Sequence, residues 1–361
     1  MVAFIRNLAV TRKGWLDAKD FETGLALCQM IPGATAMQTA AYVGLAVRGL
    51  KGAAVAFAGF GLPALLLMMA LAALYTQNAR LPMVVAAFGG LQAVVVAVVA
   101  NAAFSFGKAY LTGWKPVAIT LVAGLLFGLR VHPLAVILLA ALAGVLLLKG
   151  EGQERPESKE LRYAGLSPLR MFATMVCSVG LGLGLLLFLN RTLFDLALVM
   201  LRVDLFAFGG GFAAVPIMLY EVVDVRHWLD YHTFMNGIVL GQVTPGPILI
   251  TGAFVGYLVA GTLGAVVASV SVFLPSFSLV AILAPFFAGM RSSPLLNTVV
   301  RAVLCSFVGL LCAVTVRFGS AVPWDGAHAF IALCSFAALV RRIDILWVVL
   351  GGTALSVLLF R

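Results

Sequence analysis

Charge is what this chain has least of. Asp, Glu, Lys and Arg make up 11% of its 361 residues, against roughly 25% in a soluble domain. That leaves nothing to build a water-facing shell, so a soluble globular fold is excluded. Also missing is the apolar/polar alternation that the strands of a lipid-embedded barrel require. The five cysteines (Cys28, Cys177, Cys305, Cys312, Cys334) include no CxxC pair and lie in apolar runs; they read as small packing residues, not as disulfides or metal ligands. The four histidines (His132, His227, His232, His328) show no HxxxH spacing. There is no Walker-type phosphate loop, Ser/His/Asp set or metal-ligand cluster. This argues against ATP-driven transport, membrane enzymology and a bound cofactor.

What is there is apolar length. Hydrophobic residues make up 63% of the chain and mean hydropathy is +1.10. Gly52–Ala79, Leu81–Gly107, Val131–Leu148, Met171–Asn190 and Ile345–Phe360 carry no charge. A bilayer core needs about 20 apolar residues per helix, so each is a candidate span. Thr233–Met290 is also free of charge and long enough to cross more than once. In lipid every backbone polar group needs an internal partner, so these runs are helices. The solvent is a lipid bilayer. The net charge of +10 comes from basic residues set singly at span ends, which is the positive-inside distribution and not a nucleic-acid surface. Met1–Lys13, interrupted by Arg6, does not read as a cleavable signal peptide.

The organisation is a repeat around a linker. Residues 149–170 mix both charge signs with Pro and Gly and read as a solvated cytoplasmic linker between two membrane halves, 1–148 and 171–361. Trp15-Leu16-Asp17, Phe21, Gly24, Leu27, Gln29 and Pro32-Gly33 recur at an offset of 213 as Trp228-Leu229-Asp230, Phe234, Gly237, Leu240, Gln242 and Pro245-Gly246. At 212, Val43-Gly44, Gly49, Gly52 and Leu62-Pro63 recur as Val255-Gly256, Gly261, Gly264 and Leu274-Pro275. The element carrying Gly209-Gly210-Gly211 has no first-half counterpart after Met1, so the first helix of that half is expected upstream, with Met1–Lys13 as the stump of a broken helix. An odd number of candidate segments between Asp17 and Asp230 points to an inverted-topology repeat, a common transporter plan. The expected fold is an all-α polytopic membrane protein of two homologous halves with broken helices.

Three constellations could carry chemistry. Cys28-Gln29-Met30-Ile31-Pro32-Gly33-Ala34-Thr35 and Leu240-Gly241-Gln242-Val243-Thr244-Pro245-Gly246-Pro247 each place Pro-Gly inside an apolar run, which breaks a helix. A break frees N–H groups at the positive end of the next half-helix, where anions bind. One break reads equally as a structural kink, whereas two at equivalent positions, each beside a Gln and a Thr, favour a binding site. The third is Arg202-Val-Asp204-Leu-Phe-Ala-Phe208-Gly209-Gly210-Gly211. Triple glycine suits close backbone approach or a nest of N–H groups. Charged Arg202 and Asp204 in an apolar segment either neutralise one another, snorkel outward or line a pathway. Glu221 is a candidate proton site. Asp17 and Asp230 read as helix N-caps beside interfacial Trp. Thr39, Thr251, Arg48, Arg301 and Arg317 are weaker candidates.

On these motifs, with Gly14-Trp15-Leu16, Val215-Pro216, Phe254-Val255-Gly256-Tyr257 and Phe273-Leu274-Pro275-Ser276, the chain resembles the chromate ion transporter family in its long, two-domain form. It departs from that pattern in lacking the first-half glycine motif and in Asp204, where a small residue such as Gly is expected. The resemblance implies a multi-pass protein of the bacterial inner membrane that exports chromate, driven by membrane potential and not by ATP. Exporting a dianion from a negative interior gains about 4.6 kcal/mol per 100 mV. Gln29, Pro32, Gly33, Thr35, Arg202, Gly209, Gly210, Gly211, Gln242, Thr244, Pro245 and Gly246 are the candidate oxyanion-binding residues, with Asp204 and Glu221 for coupling or charge balance. Sulfate, another tetrahedral oxyanion, or an anion channel remain the alternatives. Homodimerisation stays open.

Overall fold

The computed structural model describes residues 1–78, 81–148, 168–286 and 293–360, and these residues are helical without strands. α1 (Val2–Arg6) runs on through a π turn, Asn7–Arg12. α2 (Ala18–Met30) precedes the first Pro-Gly segment, and α3 (Thr35–Asn78) follows it. Then come α4 (Pro82–Tyr110), α5 (Trp114–Gly128), α6 (Pro133–Leu147), α7 (Pro168–Leu189) and α8 (Arg191–Leu205). A 3₁₀ turn, Gly211–Ala213, leads into α9 (Ala214–Leu219) and a π turn, Tyr220–Val225. α10 (Tyr231–Val243) reaches the second Pro-Gly segment and α11 (Thr251–Leu283) leaves it; α12 (Pro294–Ala321), α13 (Gly326–Val340) and α14 (Ile345–Leu359) complete the chain. The expected linker lies almost wholly outside the described residues.

Local chemistry explains the helix starts. Pro82, Pro133 and Pro294 open α4, α6 and α12, where the missing N–H costs nothing. Asn190, Asp230, Ser293 and Asp325 accept amide N–H groups as N-caps. Asp17 occupies the N-cap position of α2 in extended backbone, but its side chain accepts no cap bond.

Five of the described segments are long and apolar enough to cross a bilayer. α5, α6, α13 and α14 have 15 residues each, about 22 Å at 1.5 Å per residue, short of the roughly 30 Å hydrocarbon layer. α3 and α11 each fold back on themselves. Arg48 and Gly49 leave helical geometry at φ/ψ −139/26 and 60/−153, as do Ala260 and Gly261 at −145/28 and 62/−151. The backbones then touch: a Cβ on Gly44 would stand 2.3 Å from the Gly52 carbonyl oxygen, and one on Gly256 2.2 Å from that of Gly264. Only glycine lets the two arms approach so closely.

The same offsets recur through the helices. The π turns at 7–12 and 220–225 lie 213 apart, as do Gly14 and His227, both at positive φ. α4, α5 and α6 reappear 212 positions on as α12, α13 and α14, and the positive-φ residues Arg130 and Arg342 keep that spacing. The corresponding elements pack crosswise: α4 lies against α13 and α14, α12 against α5 and α6, and α3 against α11. The core therefore draws on both ends of the chain, with Val94, Val98 and Val99 of α4 in one cluster with Phe254 and Val272 of α11 and Phe307 and Leu311 of α12.

Candidate functional site

Both Pro-Gly segments interrupt their helices. After α2 the chain is extended at Ile31 and resumes helix at Thr35; after α10 it is extended at Thr244 and resumes in a 3₁₀ turn, Ile248–Ile250. Each pair of helices flanking a break is closed by a glycine under a ring, with Gly24 against Tyr42 and Gly237 against Phe254.

At the first break, Pro32 and Gly33 are buried and Gly33 sits at φ +117°. The amides expected to face a solute are taken up internally. Gly33 N–H donates to the Ala207 carbonyl at 2.9 Å, and Ala34 N–H donates to Ser276 Oγ at 3.0 Å. Ser276 in turn donates its own N–H and Oγ–H to the Asp204 carboxylate at 2.7 and 2.9 Å. Gln38 Nε2 donates to the Pro32 carbonyl, while its Oε1 is buried without a partner. Asp204, Ser276 and Gln38 are all fully buried. The amides of the first turn of α3, from Thr35 to Met37, have no partner within the helix itself.

Ser276 and Gln38 are neighbours of the candidate site that the sequence reading did not place there. Ser276 had one signal: it follows Pro275 where the repeat has Pro63-Ala64. The reciprocal contact exists too, since a Cβ on Gly246 would stand 2.8 Å from Ala64 Cβ, as one on Gly33 would meet Ser276 Oγ at 1.9 Å. Each break thus packs on the position after the proline in the other half's long helix.

The second break is less saturated. Thr244 Oγ donates to the Gly241 carbonyl at 2.9 Å, Pro245 is exposed and Gly246 is buried. Gln242 Nε2 and Thr251 Oγ1 are buried without a partner. Unsatisfied buried donors of this kind cost about 1–3 kcal/mol each.

The glycine triplet lies between the breaks. Gly209 and Gly210 adopt φ +89° and +103°. A Cβ on Gly210 would find Thr35 Oγ1 at 3.6 Å, and one on Gly211 would find the Ile248 side chain at 2.6 Å and its N at 3.6 Å. The structure therefore brings together Pro32, Gly33, Thr35, Gly209, Gly210, Gly211 and Asp204, with Gly246 at the second break. Gln29 lies on the exposed face of α2, outside this group.

Arg202 also points elsewhere. Asp204 is turned inward on α8, and Arg202 on the opposite face reaches Glu221 at 3.8 Å, so the two do not neutralise one another. Glu221, 3% exposed, is further ringed by His132 Nε2 at 3.7 Å and Arg226 Nε at 4.0 Å; Arg226 also approaches Asp195 at 3.6 Å. The pairings Arg202–Glu221 and Asp195–Arg226 mark α8 and α9 with its π turn as an antiparallel hairpin whose bend is the glycine triplet. Beside it, Arg317 pairs with Asp224, to which Tyr231 donates at 2.6 Å.

Comparison with known proteins adds the family. The chain is 38% identical over 358 residues to an uncharacterized transporter of Methanocaldococcus jannaschii, covering 99% of this chain and 89% of that one. It is 30% identical over 356 residues to the chromate transport protein of Pseudomonas aeruginosa (93% and 80%) and 28% identical over 342 residues to that of Cupriavidus metallidurans (94% and 83%). No solved structure matches. The family model described as chromate transporter matches residues 1–145 and 194–357. With its long apolar helices, this multi-pass membrane protein belongs to the chromate transporter family.

Proposed function

We propose that the protein is a secondary transporter of the bacterial inner membrane that exports chromate, driven by membrane potential, with the oxyanion bound where the two halves meet. One observation carries the reading: Gly210 lies against the Thr35 hydroxyl at the first break while Gly211 lies against Ile248 at the second. Two helix starts and a backbone of glycines converge there, and unpaired N–H groups at helix N-termini are suited to a tetrahedral dianion. Thr35, beside Gly210, and Gln242 and Thr251, whose buried polar atoms lack partners at the second break, would donate to the oxyanion, with Thr244 and Gly246 shaping the second wall. Asp204 holds the first break closed and has no direct role in binding. The repeat elements, taken as an inverted pair, would let the site alternate between faces by rocking about the interface.

The test is uptake of labelled chromate into inside-out vesicles under an imposed potential. Lumen-positive potential should drive accumulation without ATP, and Thr35→Val, which removes the hydroxyl beside Gly210 and leaves the positive-φ glycine in place, should reduce it about tenfold. Flux indifferent to potential, or unchanged in Thr35→Val, overturns this reading. Uptake of sulfate uninhibited by chromate would assign another oxyanion, and conductance in planar bilayers far above transporter turnover would assign a channel.

A further inference from the structure

The cluster around Glu221 has no place in the binding region above, and its geometry is unusual. A buried carboxylate faces two guanidinium groups, Arg202 and Arg226, and the His132 imidazole, yet each lies 3.7 to 4.0 Å away, beyond hydrogen-bonding distance. Arg226 Nε is buried and bonds to nothing. Arg202 and His132 are open on their other side, with side-chain exposures of 46% and 41%. The other charged and titratable neighbours are Asp195 on α8, which faces Arg226, Tyr220 against the His132 ring, and the Asp224–Arg317 pair with Tyr231 alongside, where Arg130 adds a further cation. With His132 neutral, Arg202, Arg226, Glu221 and Asp195 sum to zero. Protonating Glu221 leaves one net positive charge, and protonating His132 as well leaves two.

The repeat shows that this is a local addition. Glu221 occupies the position of Leu8 in the first half: Arg226 N–H bonds the Glu221 carbonyl as Lys13 N–H bonds that of Leu8. Backbone geometry at this π turn is therefore satisfied without a carboxylate. A buried acid in an apolar segment is costly, so something other than the fold accounts for its presence.

We infer that Arg202, Arg226 and His132 form a second binding site, for a doubly charged tetrahedral oxyanion, in which Glu221 is the resident counter-ion displaced by protonation. When Glu221 is ionised it occupies the guanidinium groups. When it takes a proton from solvent, Arg202 and the unbonded Nε of Arg226 turn to the incoming anion, arginine being suited to such oxygens. Glu221 lies ten positions beyond Gly211 on the α9 arm, about 15 Å along it, so the site is a vestibule to the binding region at the glycine bend. Anion and carboxylate compete for the same cations, so each bound dianion takes up about one proton, and protons and anion strengthen one another's binding equally. The inference deepens the proposed function and rests on the reading of the protein as an oxyanion transporter.

The experiment is binding of labelled sulfate to the full chain in detergent from about pH 8 to about pH 5.5, with proton uptake followed by an indicator dye. Wild type should gain affinity by about tenfold per pH unit while Glu221 is ionised, with proton uptake on binding. Glu221→Gln should bind tightly throughout, without that dependence or that uptake. Arg202→Gln, on a half-exposed side chain and checked for folding by its unfolding midpoint, should lose about tenfold at the acid end. A wild type with pH-independent binding, a Glu221→Gln variant titrating like wild type, or unchanged acid-end binding in Arg202→Gln each overturns the inference; the last decides the matter should Glu221→Gln fail to fold. Failure of the transport reading looks different: chromate flux is absent while the pH-dependent binding persists.

Discussion

Asp204 accepts two hydrogen bonds from Ser276, one from its backbone N–H at 2.7 Å and one from its hydroxyl at 2.9 Å, across 72 positions of sequence. Ser276 hands the link on to Ala34 at the first break. A buried acid thus ties the α8 end of the glycine bend to the first Pro-Gly segment of one half and to α11, the long helix of its own half. Removing the carboxylate strands two donors at fully buried positions.

Asp204→Ala should therefore lower stability by about 2–4 kcal/mol, while Ser276→Ala, which keeps the amide bond to Asp204, should cost about half as much. Thermal unfolding of the purified protein in detergent, followed by exposure of buried cysteines such as Cys28 and Cys305 to a thiol-reactive dye, measures both. Equal midpoints for Asp204→Ala and wild type would show that the network does not hold the break.

The two break glycines should differ in tolerance. Gly33 sits at φ +117° with Ser276 Oγ 1.9 Å from where its Cβ would be, whereas Gly246 is outside the left-handed region and would meet Ala64 Cβ at 2.8 Å. Gly33→Ala should prevent accumulation of folded protein, and Gly246→Ala should fold with a cost of about 1–3 kcal/mol. Size-exclusion profiles of fluorescent fusions compare the two; the reverse order would contradict the packing described.

Thr35→Val keeps shape and removes a hydroxyl that faces Gly210. If Thr35 contacts the oxyanion, chromate flux should fall by about tenfold, equivalent to about 1.4 kcal/mol, with the unfolding midpoint unchanged. Flux in vesicles and melting of the same preparation separate a binding defect from a folding one.

Cutting the chain between residues 148 and 168 tests the crosswise packing. α4 buries its face on α13 and α14, and α12 on α5 and α6, so either fragment alone leaves long apolar faces without partners. Residues 1–148 expressed alone should be degraded, and co-expression with 168–361 should restore both to one complex. Stable accumulation of either fragment by itself would refute the shared core.

One pH effect follows from a cap outside the membrane segments. Hydrogen bonds from the His328 amide and ring hold the Asp325 carboxyl below its usual range. A depressed acid stabilises the folded form above the unfolded carboxylate range and loses that contribution as pH falls through its folded value. Corrected for the intrinsic pH dependence of exchange, the protection of the His328 amide should fall on acidification, and Asp325→Ala should lack that protection at every pH.

Sequence alone determined much of this. Charge-free runs dictated lipid-embedded helices because backbone groups in hydrocarbon must pair within their own segment. The spacing of Trp, Gly and Pro revealed the repeat, and Pro-Gly located both breaks because neither residue type can sustain an apolar helix there. Only the tertiary structure decided which groups meet. Periodicity placed Arg202 and Asp204 in one apolar segment, but opposite helix faces sent one to Glu221 and the other to Ser276. Gly33 and Ala34 amides looked free along the chain and are bonded by residues far away in it. The crosswise pairing of α4 with α13 and α14 was invisible for the same reason: local chemistry sets where a helix starts and stops, while its partner depends on side-chain shapes brought together only when the whole chain has folded.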